Sequence, residues 1–86
     1  MPHIPSDDKP NLNGLISELS FRIETKGELN YTISMLVDNF VKDKGEKYDT
    51  LCDGMGTFIG ALLEYYRLVV AKYEDGAIER NGNAYE

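Results

Sequence analysis

The chain has 86 residues and is acidic, because fifteen Asp and Glu outweigh nine Lys and Arg to give a net charge of −6. This balance opposes binding to double-stranded nucleic acid, where basic side chains must displace condensed counterions. A hydrophobic fraction of 42% is typical of a folded domain. No apolar run approaches the roughly 18 residues that cross a bilayer, and no signal peptide opens the sequence, so we expect a cytoplasmic protein without a membrane partner.

Residues 1–10 form a lead-in that contains three prolines and is predicted to be irregular. Helix 1 is predicted over residues 11–24, with Asn11 or Asn13 as its N-cap. Its apolar residues recur at helical spacing, which gathers them on one face. They are Leu12, Leu15, Ile16, Leu19 and Ile23.

Helix 2 is predicted over residues 26–44 and has the clearest end signals. Thr25 and Glu28 match a capping box, in which each side chain accepts a hydrogen bond from the other residue's backbone N–H. Gly45 is suited to end the helix, since it adopts positive φ without strain. The apolar stripe comprises Leu29, Ile33, Leu36, Val37, Phe40 and Val41.

Helix 3 is predicted over residues 48–73, although three glycines lie inside it and each costs about 1 kcal/mol relative to Ala. The alternative is a loop at residues 53–56. We favour a continuous helix, because Cys52, Gly56 and Gly60 are spaced four apart and form a groove of small residues where another backbone could pack closely. We predict that this groove is an interface between copies. The apolar stripe, which we expect to face the core, comprises Leu51, Met55, Phe58, Ile59, Leu62, Tyr66, Val69, Val70 and Tyr73.

Residues 74–86 lose helical periodicity and are predicted to be a tail, with a helix stop at residues 75–76 and a turn at residues 81–82. The elements together predict a single all-α domain over residues 1–86. We expect a three-helix antiparallel bundle or hairpin with an irregular N-terminal lead-in and a C-terminal tail. Because so short a chain buries a thin core, we also expect it to be oligomeric.

Residues with catalytic or metal-binding chemistry are few. His3, the lone histidine, lies in the lead-in without an orienting partner, which does not suit a catalytic base. Cys52 is expected to be a buried, packed thiol, and no further Cys or His completes a zinc site. Asp49 and Asp53 could share a cation, but the helix dipole explains their position more simply. We predict a protein that is not an enzyme, with no cofactor and no metal.

Tyrosines are the most prominent candidates for binding. Tyr31 and Tyr65 lie off the apolar faces of their helices, as interface anchors and base-stacking platforms do. Arg67 and Lys72 could pair with phosphate. Tyr85 could dock on the body of the protein or on a neighbouring subunit. These five residues are our predicted ligand site, and an oligomer interface is the simpler explanation of the same exposed aromatics.

Three segments carry a resemblance to a known group. They are GELNY at residues 27–31, YYRLVVAKYED at residues 65–75 and IERNGNAY at residues 78–85. They resemble a family of small uncharacterised proteins of bacteriophages and bacteria, in which Pro often stands where this chain has Lys26 and Lys72. The helical layout is also similar, more faintly, to the phage anti-CBASS sponge proteins, which assemble into hexamers and sequester cyclic nucleotides.

The sequence leaves two functions open. The first is a non-catalytic, phage-type helical homo-oligomer that binds and sequesters a host molecule to counter bacterial defence. Its expected ligand is a nucleotide immune signal of the cyclic or ADP-ribose type, as the resemblance implies. The alternative is an acidic inhibitor or assembly factor that acts by binding directly to a host or phage protein.

Overall fold

A computed structural model of the chain describes residues 4–82 and Tyr85, and its regular elements are all helical. They are a 3-10 turn (Ser6–Asp8), α1 (Lys9–Arg22), α2 (Lys26–Lys44), α3 (Tyr48–Tyr65), a π-helical turn (Tyr66–Val70) and α4 (Ala71–Asn81). These residues contain no strand, so the all-α prediction is confirmed. The chain divides into two units, Met1–Gly54 and Met55–Glu86.

Helix α1 begins and ends two residues earlier than predicted. Asp8 occupies the N-cap position without a side-chain hydrogen bond, and Pro10 lies in the first turn. Proline suits this position because its φ is already helical and its missing N–H would have had no partner. Asn11 and Asn13 are therefore helical residues, and the prediction that one of them is the N-cap is wrong. The helix ends because Ile23 is extended, with φ −92° and ψ 114°.

Helix α2 has the predicted bounds, and its capping box is confirmed. The Glu28 N–H donates to Thr25 Oγ1 over 3.1 Å, and the Thr25 N–H donates to Glu28 Oε1 over 2.9 Å. The same carboxylate oxygen accepts from the Glu24 N–H over 3.1 Å. Gly45, with φ 96°, ends the helix as predicted. Local rules at both ends thus define this element.

Helix α3 runs through its glycines without a break, so the continuous helix is confirmed and the loop alternative is wrong. Its first turn is organised by Thr50, whose hydroxyl oxygen accepts from the Lys47 N–H over 2.9 Å. The same hydroxyl lies within donating distance of the Gly45 and Lys47 carbonyls. Thr50 therefore ties the start of α3 to the end of α2.

The predicted tail is wrong for residues 74–81, which are helical. A glycine inside a helix costs about 1 kcal/mol relative to Ala but does not stop it, and Gly76 keeps helical dihedrals here. The Arg80 guanidinium lies over Gly76, 3.4 Å from the position that a Cβ would occupy. The helix ends at Gly82, which has φ 80° and donates its N–H to the Ile78 carbonyl over 2.7 Å.

The apolar stripes form on the helices as predicted, but they are not buried. Val41, 5% exposed, is the one buried hydrophobic side chain among the described residues. Tyr66 and Tyr73, which the sequence places on a core face, are at least half exposed. The expectation that these stripes form a core within one copy is therefore wrong. Helical periodicity specifies which side chains share a face, whereas burial also requires a surface to cover that face.

Candidate functional site

The closest packing in the first unit lies between α2 and the start of α3. Gly54 is buried there, and a Cβ added to it would lie 2.9 Å from Val41 Cγ2 and 3.3 Å from Val37 Cγ1. Real Cβ atoms essentially never approach another atom to 2.9 Å. The side chains of these valines are stiff because β-branching leaves one preferred rotamer in a helix. The absence of a side chain at Gly54 therefore permits the contact.

This contact changes the interpretation of the predicted groove of Cys52, Gly56 and Gly60. Residues two apart on a helix lie about 200° apart around its axis, so Cys52 and Gly56 point away when Gly54 faces α2. Cys52 is exposed, which contradicts the expected buried thiol. An added Cβ at Gly56 would meet nothing within 4 Å. The role of the groove as an interface between copies stays a prediction.

The row of small residues spaced four apart does not include Gly54, so that row does not predict this contact. A signal for it exists in the sequence. Gly54 lies three residues after Leu51 and four before Phe58, so it belongs to the apolar stripe of α3. A glycine on such a stripe marks a place where another helix can approach closely.

A shallow cleft of about 330 Å³ lies where α1 meets α2. It contains Tyr31, the one predicted ligand residue in the first unit. Arg22 also lines the cleft and supplies a guanidinium, which lies 3.9 Å from the Glu18 carboxylate. The full lining is Leu19, Arg22, Ile23, Gly27, Glu28, Tyr31 and Thr32. An aromatic ring, a guanidinium and apolar walls suit an anion that carries a flat ring.

Glu28 is the carboxylate of this cleft, and its environment gives it a structural role. The hydrogen bond from the Glu24 backbone, followed by those from Thr25, lowers the pKa of Glu28 below its ordinary value. The carboxylate is therefore ionised at neutral pH and holds the start of α2. It is poorly suited to donate a proton to a bound molecule.

In the second unit, Tyr65, Arg67 and Lys72 lie at a change of helical geometry. Tyr65 is the last residue of α3, Arg67 lies in the π-helical turn and Lys72 is the second residue of α4. Single π-helical turns within α-helices are frequent at functional sites. Tyr65 is exposed, as predicted for a binding residue. Its participation in a ligand site stays a prediction.

A side-chain hydrogen bond spans the π-helical turn. The Tyr66 hydroxyl donates to Glu74 Oε2 over 3.2 Å, joining residues eight apart in the sequence. This bond, together with the negative charge of Glu74, raises the pKa of Tyr66 above its ordinary value. The phenol is therefore protonated at neutral pH and acts as a donor.

Two further candidates lie at the ends of the chain. Tyr85 is 97% exposed, and whether it docks on another subunit stays a prediction. His3 lies outside the described residues. Within residues 4–82 and Tyr85, no three His, Cys, Asp or Glu side chains are grouped as metal ligands would be. Nor does any helix in this part of the chain have the length and apolar character needed to cross a membrane.

Comparison with known proteins places the chain in a family. A family model described as "Domain of unknown function (DUF6899)" matches residues 1–84. The chain belongs to the DUF6899 family. This membership agrees with the expected resemblance to a family of small uncharacterised proteins. No curated protein and no solved structure matches the chain.

Proposed function

We propose that this chain is a non-catalytic protein that self-associates and acts by binding and sequestering another molecule. The observation that carries the proposal is the exposure of its apolar stripes. Large apolar side chains of α1, α2 and α3 are about half exposed, while Val41 alone among the described hydrophobic residues is buried. Exposed apolar patches larger than a few hundred Å² are rare on soluble monomers and mark association surfaces.

The proposed ligand is a nucleotide of the cyclic or ADP-ribose type, which acts as an immune signal in bacteria. Its phosphates would pair with Arg22 or Arg67, and its base would stack on Tyr31 or Tyr65. The cleft at the α1–α2 corner supports this proposal, since it holds Arg22 and Tyr31 together. The link to phages and to a host cytoplasm rests on the resemblance of the sequence motifs.

Thermal unfolding in the presence of a panel of such nucleotides tests the ligand class. Binding to the native state alone at about 100 times the Kd stabilises a protein by about 2.7 kcal/mol, which corresponds to a rise in Tm of roughly 10–20 °C for a domain of this size. We expect at least one nucleotide to produce such a rise. If no nucleotide in the panel raises the Tm at concentrations well above micromolar, the proposed ligand class is wrong.

Alanine variants then locate the site. Tyr31→Ala and Arg22→Ala should remove the shift if the cleft binds the nucleotide, whereas Tyr65→Ala and Arg67→Ala should remove it if the π-helical turn does. Tyr48→Ala is the matched control, because Tyr48 is an exposed tyrosine that does not line the cleft. Normal binding by all four variants would show that both assignments are wrong.

The alternative is direct inhibition of, or assembly with, a basic host or phage protein. The net charge of −6 favours it, because an acidic surface is attracted to a basic partner. Such an interaction weakens steeply with ionic strength. A partner that binds more weakly in high salt, with no nucleotide effect on Tm, would favour this function over the first.

A further inference from the structure

Four apolar side chains of α2 form a row that is about half exposed. Leu29, Ile33, Leu36 and Phe40 follow one another at spacings of four, three and four, and they are 48, 44, 57 and 52% exposed. This spacing is the one by which two helices interlock along a coiled-coil seam. We call this row the α2 seam. Its exposure shows that one copy leaves the row available for packing.

The α2 seam is separate from the other two contact regions of α2. Val37 and Val41, which meet Gly54, lie about 90° around the helix axis from the seam. Of the cleft residues of α2, Glu28 and Tyr31 lie about 110° and 170° around the axis from the seam, and Thr32 lies at its border. A second helix could therefore pack on the seam without displacing the α2–α3 contact or filling the cleft.

Between Leu29 and Phe40 the positions that flank the α2 seam carry no charge, and at one end the Lys44 ammonium lies over the Phe40 ring, 5.6 Å from its centroid. Asn30, Thr32 and Asn39 flank the row, and the Thr32 hydroxyl already donates to the Glu28 carbonyl over 2.8 Å. Like charges in these flanking positions are what prevents a helix from pairing with itself. An uncharged border suits a second copy of the same chain.

The ends of α2 favour an antiparallel arrangement. Lys26, at the start of α2, and Asp43, in its last turn, continue the row three residues beyond its two ends. Antiparallel pairing brings Lys26 of each helix to Asp43 of the other and opposes the two helix dipoles favourably. Parallel pairing would instead place each of these charges beside its own copy. Charge therefore selects the direction.

We propose that the α2 seam pairs antiparallel with the α2 seam of a second copy. A two-fold axis then passes between Ile33 and Leu36, so that Ile33 of each copy meets Leu36 of the other and Leu29 meets Phe40. The proposal rests on the self-association proposed above and deepens it by naming the interface and its register.

The available area agrees with this pairing if α1 contributes. A stable dimer buries roughly 800 Å² on each partner, which is more than four half-exposed side chains provide. In the same unit, Leu12 and Ile16 on α1 lie four residues apart and are also exposed, and neither lines the cleft. They extend the exposed apolar surface of this unit, and contiguous apolar patches of more than a few hundred Å² mark interaction sites.

Charge substitution across the two-fold axis tests the pairing and its direction. Light scattering on the full chain should give at least twice the 9.7 kDa of one copy. Ile33→Lys and Leu36→Glu should each reduce the mass to that of one copy, because each buries an unpaired charge. An equimolar mixture of these two variants should recover the dimer. In the antiparallel register the new ammonium meets the new carboxylate, while Leu36 still meets Ile33.

The controls separate the possible failures. Far-UV circular dichroism should be unchanged in both variants, since the substituted positions are exposed. Lys42→Glu adds negative charge on the side of α2 opposite the seam and should leave the mass unchanged. A wild-type chain that is monomeric refutes both this interface and the proposed self-association. A wild-type oligomer that survives both substitutions refutes this interface alone. Variants that dissociate but do not recover on mixing refute the antiparallel register.

Discussion

The α2–α3 contact and the helical run from Met55 onward illustrate two ways of stabilising a helix. At the contact, Gly54 allows α3 to approach Val37 and Val41, and both buried residues of the described chain, Gly54 and Val41, lie there. From Met55 to Gly82 no residue is buried. The bond between Tyr66 and Glu74 instead joins successive turns of one run. An amphipathic stripe is therefore not sufficient for burial, whereas a glycine at the crossing point produces it.

The comparison is tested most strongly by adding a methyl group at the contact. Overpacking a close contact costs about 1–3 kcal/mol, while replacing a helical glycine by alanine returns up to about 1 kcal/mol. We expect Gly54→Ala to lower the free energy of unfolding by about 1–2 kcal/mol, because the valines that it would meet are stiff. Urea denaturation at one fixed protein concentration measures this change.

Gly56→Ala is the matched control, since the added Cβ would meet nothing within 4 Å. It should raise the free energy of unfolding by up to about 1 kcal/mol. Two variants that change stability in the same direction would contradict the assignment of Gly54 as the contact glycine. If Gly56→Ala instead dissociated an oligomer, it would support the predicted interface at Cys52, Gly56 and Gly60.

The first unit also depends on a local device, the capping box at the start of α2. Thr25→Ala removes the oxygen that accepts the Glu28 N–H, and the loss of such a cap costs about 1 kcal/mol. Thr32→Ala is its control. The Thr32 hydroxyl only donates to a carbonyl within the helix, and alanine is the better helix former, so the expected change is near zero or slightly stabilising. Equal losses in the free energy of unfolding for Thr25→Ala and Thr32→Ala would show that the capping hydrogen bond adds no stability of its own.

The capping box at Thr25 and the contact at Gly54 differ in how far the sequence determines them. The capping box, the helix end at Gly45 and the continuity of α3 were predictable because each depends on residues within a few positions of one another. The contact at Gly54 depends on Val37 and Val41, more than ten residues away in the chain. The small-residue row suggested a contact on the opposite side of α3, because it shows where a backbone could approach but not which helix approaches.

The other differences between the predicted and the observed structure have separate physical causes. Gly76 did not end the helix because its φ is not positive, and Gly82, with φ 80°, ends it instead. The π-helical turn was not predictable because residues 65–71 contain neither proline nor glycine to mark it. Burial of the apolar stripes was predicted wrongly because it depends on what covers them. Of the candidate ligand residues, the structure joins Tyr31 to Arg22 in one cleft, while the binding roles of Tyr65, Arg67, Lys72 and Tyr85 stay predictions.

A smaller effect should follow from acid, which acts on the capping box through Glu28. Its pKa is lowered in the folded chain, so the stabilisation is fully present above the ordinary Glu pKa of about 4.3. It is lost as the pH falls through the lowered value, because the protonated side chain no longer accepts as an anion. NMR titration of Glu28 should show this value, and Glu28→Gln should remove the acid-dependent part of α2 stability. An unshifted Glu28 pKa would contradict the capping geometry.

The smallest expected effect concerns the exposed bond across the π-helical turn. The pKa of the Tyr66 phenol is raised in the folded chain. Any stabilisation from the Tyr66–Glu74 bond is therefore present below the ordinary Tyr pKa of about 10 and is lost as the pH rises through the raised value. Tyr66→Phe should remove the phenol with the raised pKa from an ultraviolet absorbance titration. Because the bond is exposed, hardly any change in global unfolding is expected. Faster amide exchange in residues 66–74 should be the main consequence, since the bond restrains a turn in which no residue is buried.

A large loss of global stability in Tyr66→Phe would mean that this helical run is packed against another surface, and the contrast with the α2–α3 contact would then fail.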